Sequence, residues 1–363
     1  TQTEMDNTLK HTLLFAAVAL CAALLTSCHH PDIPANSMYY WNRELTLSQP
    51  ERKFLTDQHV GTVYIHLFDL EPGANGKVAM TNTMTFVDQL PRGLNIVPLV
   101  FIKPDLLDKD WDMRKLADVI VGEADHELTS HGYPKPREIQ VDCDWGGEEN
   151  QAAYFRLLEA VGDIMHRRSR GQVSCTVRLY QLGQDTPPAD YATLMLYNTG
   201  SDRTRDPDNA ILSYDAIHQF LDDLMRYEMP LSTVLPLYGW DMVYQYGRFS
   251  FVARGLNLQD TACYSQIDPG VYRSKIYRPV SQASDPEHAT GRIYPGDIIR
   301  KVEPTAGMLD SLASLISDIR PGDQGNIALM RLDSLSVSRF PAKTYRNLFD
   351  GGSIRQARKV LWD

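Results

Sequence analysis

Ile96-Val97-Pro98-Leu99-Val100-Phe101-Ile102 is a run of seven residues without one charged or polar side chain. A strand with one wet face alternates apolar and polar residues, whereas a strand covered on both faces reads as a continuous apolar run. This stretch therefore belongs in a parallel sheet wrapped by helices. Outward from it in both directions, apolar or β-branched runs recur at 38–41, 62–70, 95–103, 138–145, 172–180, 191–198, 232–240 and 326–333, and these eight are the expected strands. Helical periods alternate with them, most clearly at 112–130, 149–168, 215–227 and 308–319; in the second, Ala153, Leu157, Leu158, Val161 and Met165 share one face. Eight such βα repeats specify an α/β fold of the (β/α)8 or TIM-barrel kind. An open doubly wound sheet of about five or six strands fits the count less well.

One connection is too long for a barrel turn, since about 65 residues separate Trp240 from the helical period at 308–319. An insertion subdomain is expected at 241–306, rich in β-structure, with strands at 271–277 and 297–302 on either side of the turn-rich SDPEHATG of 284–291. It would roof the barrel mouth after strand seven. The barrel then spans 38–338, with 28–37 as a linker and 339–363 as a C-terminal extension holding a short helix at 353–361.

Residues 13–25 carry no charge, follow Lys10 and His11, and lead into Thr26-Ser27-Cys28. A run of that length is a signal-peptide core, shorter than the roughly 20 residues of a membrane-spanning helix. Leu24-Leu25-Thr26-Ser27-Cys28 resembles the lipobox of bacterial lipoproteins, in which cleavage precedes the Cys and the lipid joins it. Residues 1–27 are then the signal peptide, Cys28 the lipidation site and Met5 the natural start; an uncleaved anchor or a soluble-secretion signal is the alternative. The expected location is that of an exported bacterial lipoprotein at the outer membrane or cell surface, because His29 is not an acidic retention signal.

The net charge of -10 becomes -9 when Glu4, Asp6 and Lys10 leave with the signal. The only dense basic run is Arg167, Arg168 and Arg170 at a helix end, where cations complement the dipole, so no nucleic-acid partner is expected. Membrane attachment rests on the lipid, without a polybasic patch. Cys143, Cys175 and Cys263 remain after processing, and buried free thiols are the expected state for the two that fall in strand patterns. The sequence holds no CxxC, HxxxH, Walker loop, GxGxxG or GxSxG, so neither metal nor cofactor is expected.

Strand C-terminal ends share one cleft in such a barrel. The fourth strand ends Gln140-Val141-Asp142-Cys143-Asp144-Trp145, and alternation places Gln140, Asp142 and Asp144 on one face with Val141, Cys143 and Trp145 on the other. Two inward carboxylates repel each other and lose solvent, which raises one of them and makes an acid or a proton-sharing pair. The competing reading is structural: a cation, Arg178 or Arg331, pairs with them. The other strand ends supply Trp41, Asp69, Lys103, Tyr180, Gln181, Tyr197, Asn198, Tyr238, Trp240, Asp241 and Asp333. A sugar ring offers an apolar face for Trp or Tyr and hydroxyls for fixed polar partners, so this set, with Arg178 and Arg331, suits a glycan. Trp41, Trp145 and Trp240 each close a strand and are the expected stackers. Tyr39, Tyr40 and Tyr64 are expected in the core, as is His66 among apolar neighbours, and Asp202, Arg203, Arg205 and Asp206 in a solvated loop.

These residues resemble the glycoside hydrolase family 18 barrel, the fold of chitinases and endo-N-acetylglucosaminidases. The family's fourth strand ends Asp-x-Asp-x-Glu; Asp142-Cys143-Asp144-Trp145 fits its first four positions, and Gly146 stands where the Glu belongs. Met195-Leu196-Tyr197-Asn198 is similar to the Met-x-Tyr-Asp of strand six, with Asn for Asp, and Pro236-Leu237-Tyr238-Gly239 to the Pro-x-Tyr-Gly of strand seven. The family often carries an insertion after strand seven. VRLYQ, PPAD and LMLYNTG are also similar to segments of a group of bacterial lipoproteins with glycosidase-like barrels.

The resemblance implies a mechanism in which a Glu protonates the departing oxygen while aspartates orient the substrate's acetamide for attack on the anomeric carbon. Gly146 has no proton to give. Three outcomes follow: Glu148, Glu149 or Asp241 replaces the acid; Asp142 and Asp144 run a different two-carboxylate mechanism; or the barrel only binds. In the enzymatic reading Tyr197 and Asn198 steady the acetamide and Trp240 stacks the sugar. In the other, the chain is a non-catalytic glycan-binding or scaffold lipoprotein. The implied partner is an N-acetylhexosamine-containing glycan, met by a monomer.

Overall fold

The computed structural model describes residues 33, 36–198, 211–280, 291–321 and 326–352. The expectations for the signal segment and Cys28, for the loop at 202–206, for most of SDPEHATG and for a helix at 353–361 lie outside the described residues. Seven strands follow in chain order: β1 (Ser37–Tyr40), β2 (Thr62–Pro72), β3 (Asn95–Ile102), β4 (Glu138–Asp142), β5 (Gln172–Val177), β6 (Tyr191–Met195) and β7 (Leu231–Pro236). An excursion comes next, with β8 (Trp240–Gln245), β9 (Arg248–Ala253), β10 (Tyr264–Asp268), β11 (Val271–Ser274) and β12 (Ile298–Val302), and with a separate antiparallel pair, Arg278–Val280 and Gly291–Ile293, between the last two. Then β13 (Ile327–Met330) pairs in parallel with both β7 and β1, and β1 also pairs with β2, which closes an eight-stranded parallel barrel. A short antiparallel strand, Val78–Thr81, lies outside the ring against β2.

The helices are α1 (Gln49–Asp57), α2 (Met113–Ser130), α3 (Glu148–Met165), α4 (Tyr214–His218), α5 (Leu221–Arg226), α6 (Ala306–Ile319), α7 (Ser334–Val337) and α8 (Ala342–Phe349). Local chemistry starts several of them: Ser48 and Glu51 form a reciprocal cap on α1, and Asp112 and Thr305 cap α2 and α6. Two connections depart from the expected repeat. Residues 73–94 and 178–190 hold no α-helix, only the Val78–Thr81 strand, the short strand Thr85–Phe86 paired with Glu44–Leu45, and tight turns, and the period at 215–227 divides into α4 and α5. At the end of α3, Arg168 is more than a dipole complement, because its guanidinium grips both Asp125 oxygens on α2 at 2.7 and 2.8 Å.

Strands also stop short of the apolar runs that mark them. β4 ends at Asp142, β5 at Val177, β6 at Met195 and β7 at Pro236, so most expected site residues stand on the loops just beyond. Trp240 does not close strand seven; it opens β8 of the insertion. There β9-β8-β12-β11-β10 form an antiparallel sheet with a small core that includes Val243, Phe251, Tyr264, Tyr272 and Ile299.

The barrel axis is polar. Gln140 accepts the Tyr39 hydroxyl at 2.7 Å and donates to Ser174 and Thr193 at 3.2 and 3.1 Å, so β4 turns its even-numbered residues inward. One step below, buried Glu138 accepts from Ser174, Tyr191 and Gln172 at 2.6, 2.5 and 2.9 Å. The Tyr191 proton being committed to Glu138, Tyr64 donates to Tyr191 at 2.6 Å, and Tyr39 stacks on Tyr64 with centroids 4.5 Å apart. Burial pushes the Glu138 carboxyl up, against the pull of its three donors. Cys143, Cys175 and Trp145 point the other way and are buried outside the ring, the two thiols free.

Glu138→Ala leaves three buried donors without an acceptor and is expected to cost about 2–4 kcal/mol. Urea unfolding followed by far-UV circular dichroism measures it. Glu138→Gln, which keeps an acceptor oxygen, is expected to recover at least half.

Candidate functional site

The inward row of β4 continues from Glu138 and Gln140 to Asp142 and, past the strand end, to Asp144. Asp142 is buried and Asp144 has 49% of its side chain exposed. Between them lies Arg178, one residue past β5. Its Nη2 meets Asp142 Oδ1 at 2.9 Å and its Nε meets Asp144 Oδ1 at 2.7 Å. Thr176 donates to the same Asp142 oxygen and takes a bond from Arg178 Nη1 at 2.9 Å. The cation pair expected as one reading of the aspartates is present, with Arg178 as the cation.

The electrostatics follow from burial and these contacts. Burial opposes the guanidinium's charge, but Asp142 and then Asp144 outweigh it and hold Arg178 protonated. Burial holds the Asp144 carboxyl above its ordinary range, with Arg178 pulling it down and Asp142 pushing it up. Tyr197, at the edge of the cluster, has its hydroxyl raised chiefly by burial.

An aromatic wall continues from Tyr197. Its ring meets Tyr238 edge-on with centroids 6.0 Å apart, and Tyr238 lies 6.0 Å from Trp240. The Tyr238 hydroxyl donates to Asn198 Oδ1 at 2.9 Å, and the Arg254 guanidinium sits 5.3 Å from the Tyr238 ring centre. A cavity of about 380 Å³ opens beside Tyr238, where the insertion meets the barrel, lined by Asp241, Arg254, Lys301, Glu303 and Arg339 among others. Asp241 is buried there and accepts from the Leu256 amide at 2.9 Å; desolvation pushes its carboxyl up to about 6.

Several expected site residues make scaffold contacts, Asp333 while also lining the cavity beside Tyr238. Trp145 is fully buried against Tyr154 and Phe155, on the face of β4 opposite the cleft, because alternation sends it outward. Gln181 is buried as a loop brace, accepting from the Arg178 amide at 2.8 Å and donating to the Trp145 carbonyl at 3.0 Å. Asp333 caps α7 through the Ser336 amide and pairs with Arg331, which reaches Asn42 rather than the aspartates. Lys103 pairs with Glu71. Glu148 and Glu149 are exposed in the first turn of α3, favourable near a helix N-terminus, and no contact brings them to Asp142 or Asp144. Gly146 is exposed, and a Cβ placed on it meets nothing within 4 Å.

Trp41 and Asp69 do reach the mouth, on the β1–β2 wall, where Trp41 stacks on His66. Sequence reasoning passed over Thr176 and Arg254, and His66 is buried as expected. Thr176 could have been found by alternation from Arg178; Arg254 carries no local signal, because only the insertion's fold delivers it. Among the described residues no group of three or more His, Cys, Asp or Glu side chains converges as a metal site.

Fold and mouth together describe a TIM barrel whose C-terminal face carries a carboxylate–arginine cluster beside an aromatic wall. No family model and no curated protein sequence matches the chain. Solved structures match in fold. The spore cortex-lytic enzyme SleL of Bacillus cereus is 13% identical over 88% of this chain and 75% of that one, with a TM-score of 0.50. SleL of Bacillus megaterium QM B1551 is 10% identical over 89% and 76%, with a TM-score of 0.52. A mutant GH18 chitinase from Cycas revoluta, solved with (GlcNAc)4, is 10% identical over 87% and 99%, with a TM-score of 0.50. The family 18-like barrel expected from the motifs is thus met at the level of fold.

Two outcomes are expected. Arg178→Gln strips the cation from buried Asp142 and costs about 3–5 kcal/mol at pH 7. A denaturant titration measures it. Asp241 is raised in the folded chain, so its contribution is complete below the unfolded value and is lost as pH rises toward about 6. Asp241→Asn should flatten stability between about pH 4 and 6 and gain up to about 3 kcal/mol at pH 7.

Proposed function

We propose that the chain is a lipid-anchored monomer, carried on Cys28 at the bacterial cell surface, that captures N-acetylhexosamine-containing glycans at the C-terminal mouth of its barrel without cleaving them. The observation that carries this reading is the state of the acid positions: one guanidinium engages both Asp142 and Asp144, and position 146, where family 18 enzymes have their Glu, offers no side chain. Proton donation to a departing oxygen needs a free acid within hydrogen-bond reach, and neither aspartate is free. Capture needs only stacking faces and fixed polar partners. Tyr197, Tyr238 and Trp240 supply the first, and Asn198, Arg178 and Asp144 the second. The Cycas revoluta chitinase, solved with (GlcNAc)4 on the same fold, supports the choice of ligand class.

Hydrolysis with Asp144 as the acid is the second reading, favoured by one observation, the raised and half-exposed Asp144 carboxyl. Calorimetric titration of the full chain in detergent with chitotetraose, followed by product analysis, separates the two. Saturable binding with intact ligand is expected, weakened about tenfold, or about 1.4 kcal/mol, by Trp240→Ala. Reducing ends released by the parent and lost in Asp144→Asn would establish hydrolysis instead.

A further inference from the structure

The wall formed by β1 and β2 holds polar groups that neither the Arg178 cluster nor the aromatic wall uses. β2 carries a bulge: His66 pairs with Leu99 and Phe68 with Val100, so Leu67 is an extra residue. Without it, His66 and Asp69, three apart, would face opposite sides. With it, both face inward, since Leu99 and Phe101, their partners on β3, are in register with Gln140 and Asp142 on β4.

A chain of bonds fixes the imidazole. Arg43 donates to Asn82 Oδ1; Asn82 Nδ2 donates to Asp69 Oδ2 at 2.5 Å; Asp69 Oδ1 lies 2.5 Å from His66 Nε2. A guanidinium only donates, so it sets which way the Asn82 amide faces. A carboxylate only accepts, so His66 carries a proton on Nε2, and in the neutral ring Nδ1 is then the acceptor nitrogen. Trp41 stacks on the ring at 4.5 Å and 14°. Among the described residues Nδ1 has no hydrogen-bond partner, and 8% of the His66 side chain is exposed.

We infer that His66 contacts ligand: its bare Nδ1 accepts a hydrogen bond from a hydroxyl of a polyhydroxylated ligand, with Asp69 and Asn82 as positioning residues and Trp41 as the stacked support. The inference rests on the glycan-capture reading and adds to it a subsite on the β1–β2 wall, apart from Tyr197, Tyr238 and Trp240. A histidine that merely fills the core would keep its tautomer without consequence for binding.

The test is side-chain nitrogen NMR of the full chain in detergent, with and without chitotetraose, the His66 signals assigned by their loss in His66→Phe. Parent protein should show a protonated Nε2 and a bare Nδ1 that shifts on saturation. Asp69→Asn should exchange the tautomer, because Arg43 and Asn82 turn the new amide's oxygen toward Asn82 and its NH2 toward Nε2. Chitotetraose affinity should fall at least fivefold in both variants. A protonated Nδ1 in the parent overturns the relay. An Nδ1 unmoved by bound ligand overturns the contact, as does unchanged affinity in His66→Phe or in a tautomer-exchanged Asp69→Asn. If His66→Phe does not fold, the near-isosteric Asp69→Asn decides. Parent protein that does not bind chitotetraose refutes the glycan reading and the ligand contact together, while the tautomer of the free chain still decides the relay.

Discussion

The guanidinium of Arg178 is the interaction on which the mouth of this barrel depends. It links the ends of β4 and β5, neutralises the buried carboxylate of Asp142 and holds Asp144 at the rim. Buried charge is tolerated only when paired and hydrogen-bonded, and here Thr176 completes the pairing. The same contact sets the chemistry, since carboxylates engaged with a cation are poor proton donors and good fixed acceptors. The ground structure of the mouth is therefore decided by one side chain just past the strand next to the motif.

Below that cluster the axis is held by bonds rather than by apolar packing alone. Glu138, Gln140, Tyr39, Tyr64, Tyr191, Ser174 and Thr193 satisfy one another across strands β1, β2, β4, β5 and β6. Directional bonds of this kind fix register, because a slip of one residue would turn every member outward. The apolar contribution comes from the opposite faces of the same strands, where Cys143, Trp145 and Cys175 meet the helix layer.

The fold was legible because its signals are local. IVPLVFI reads as a two-sided buried strand from seven residues, and the count of eight runs needs no tertiary knowledge. Asp142 and Asp144 were legible as a pair for the same reason, alternation along one strand. Their state was not, because the partner that decides it lies 36 residues from Asp142 along the chain. Trp145 faces outward by the same alternation that turns Asp144 inward, whereas Gln181 lies beyond the end of β5, where the chain turns into the scaffold. His66 was read as core because its neighbours in sequence are apolar, and only a bulge, which leaves no mark in composition, sets it beside Asp69.

Closure of the ring has a temporal side. The strand that completes it, β13, pairs with β1 from the far end of the chain, Ser37 lying opposite Ala328. During synthesis β1 has β2 on one flank and no partner on the other until the chain through Met330 has emerged. Contacts so distant in sequence form late and slowly. The nascent barrel is thus an open, curling sheet whose first strand waits for its last.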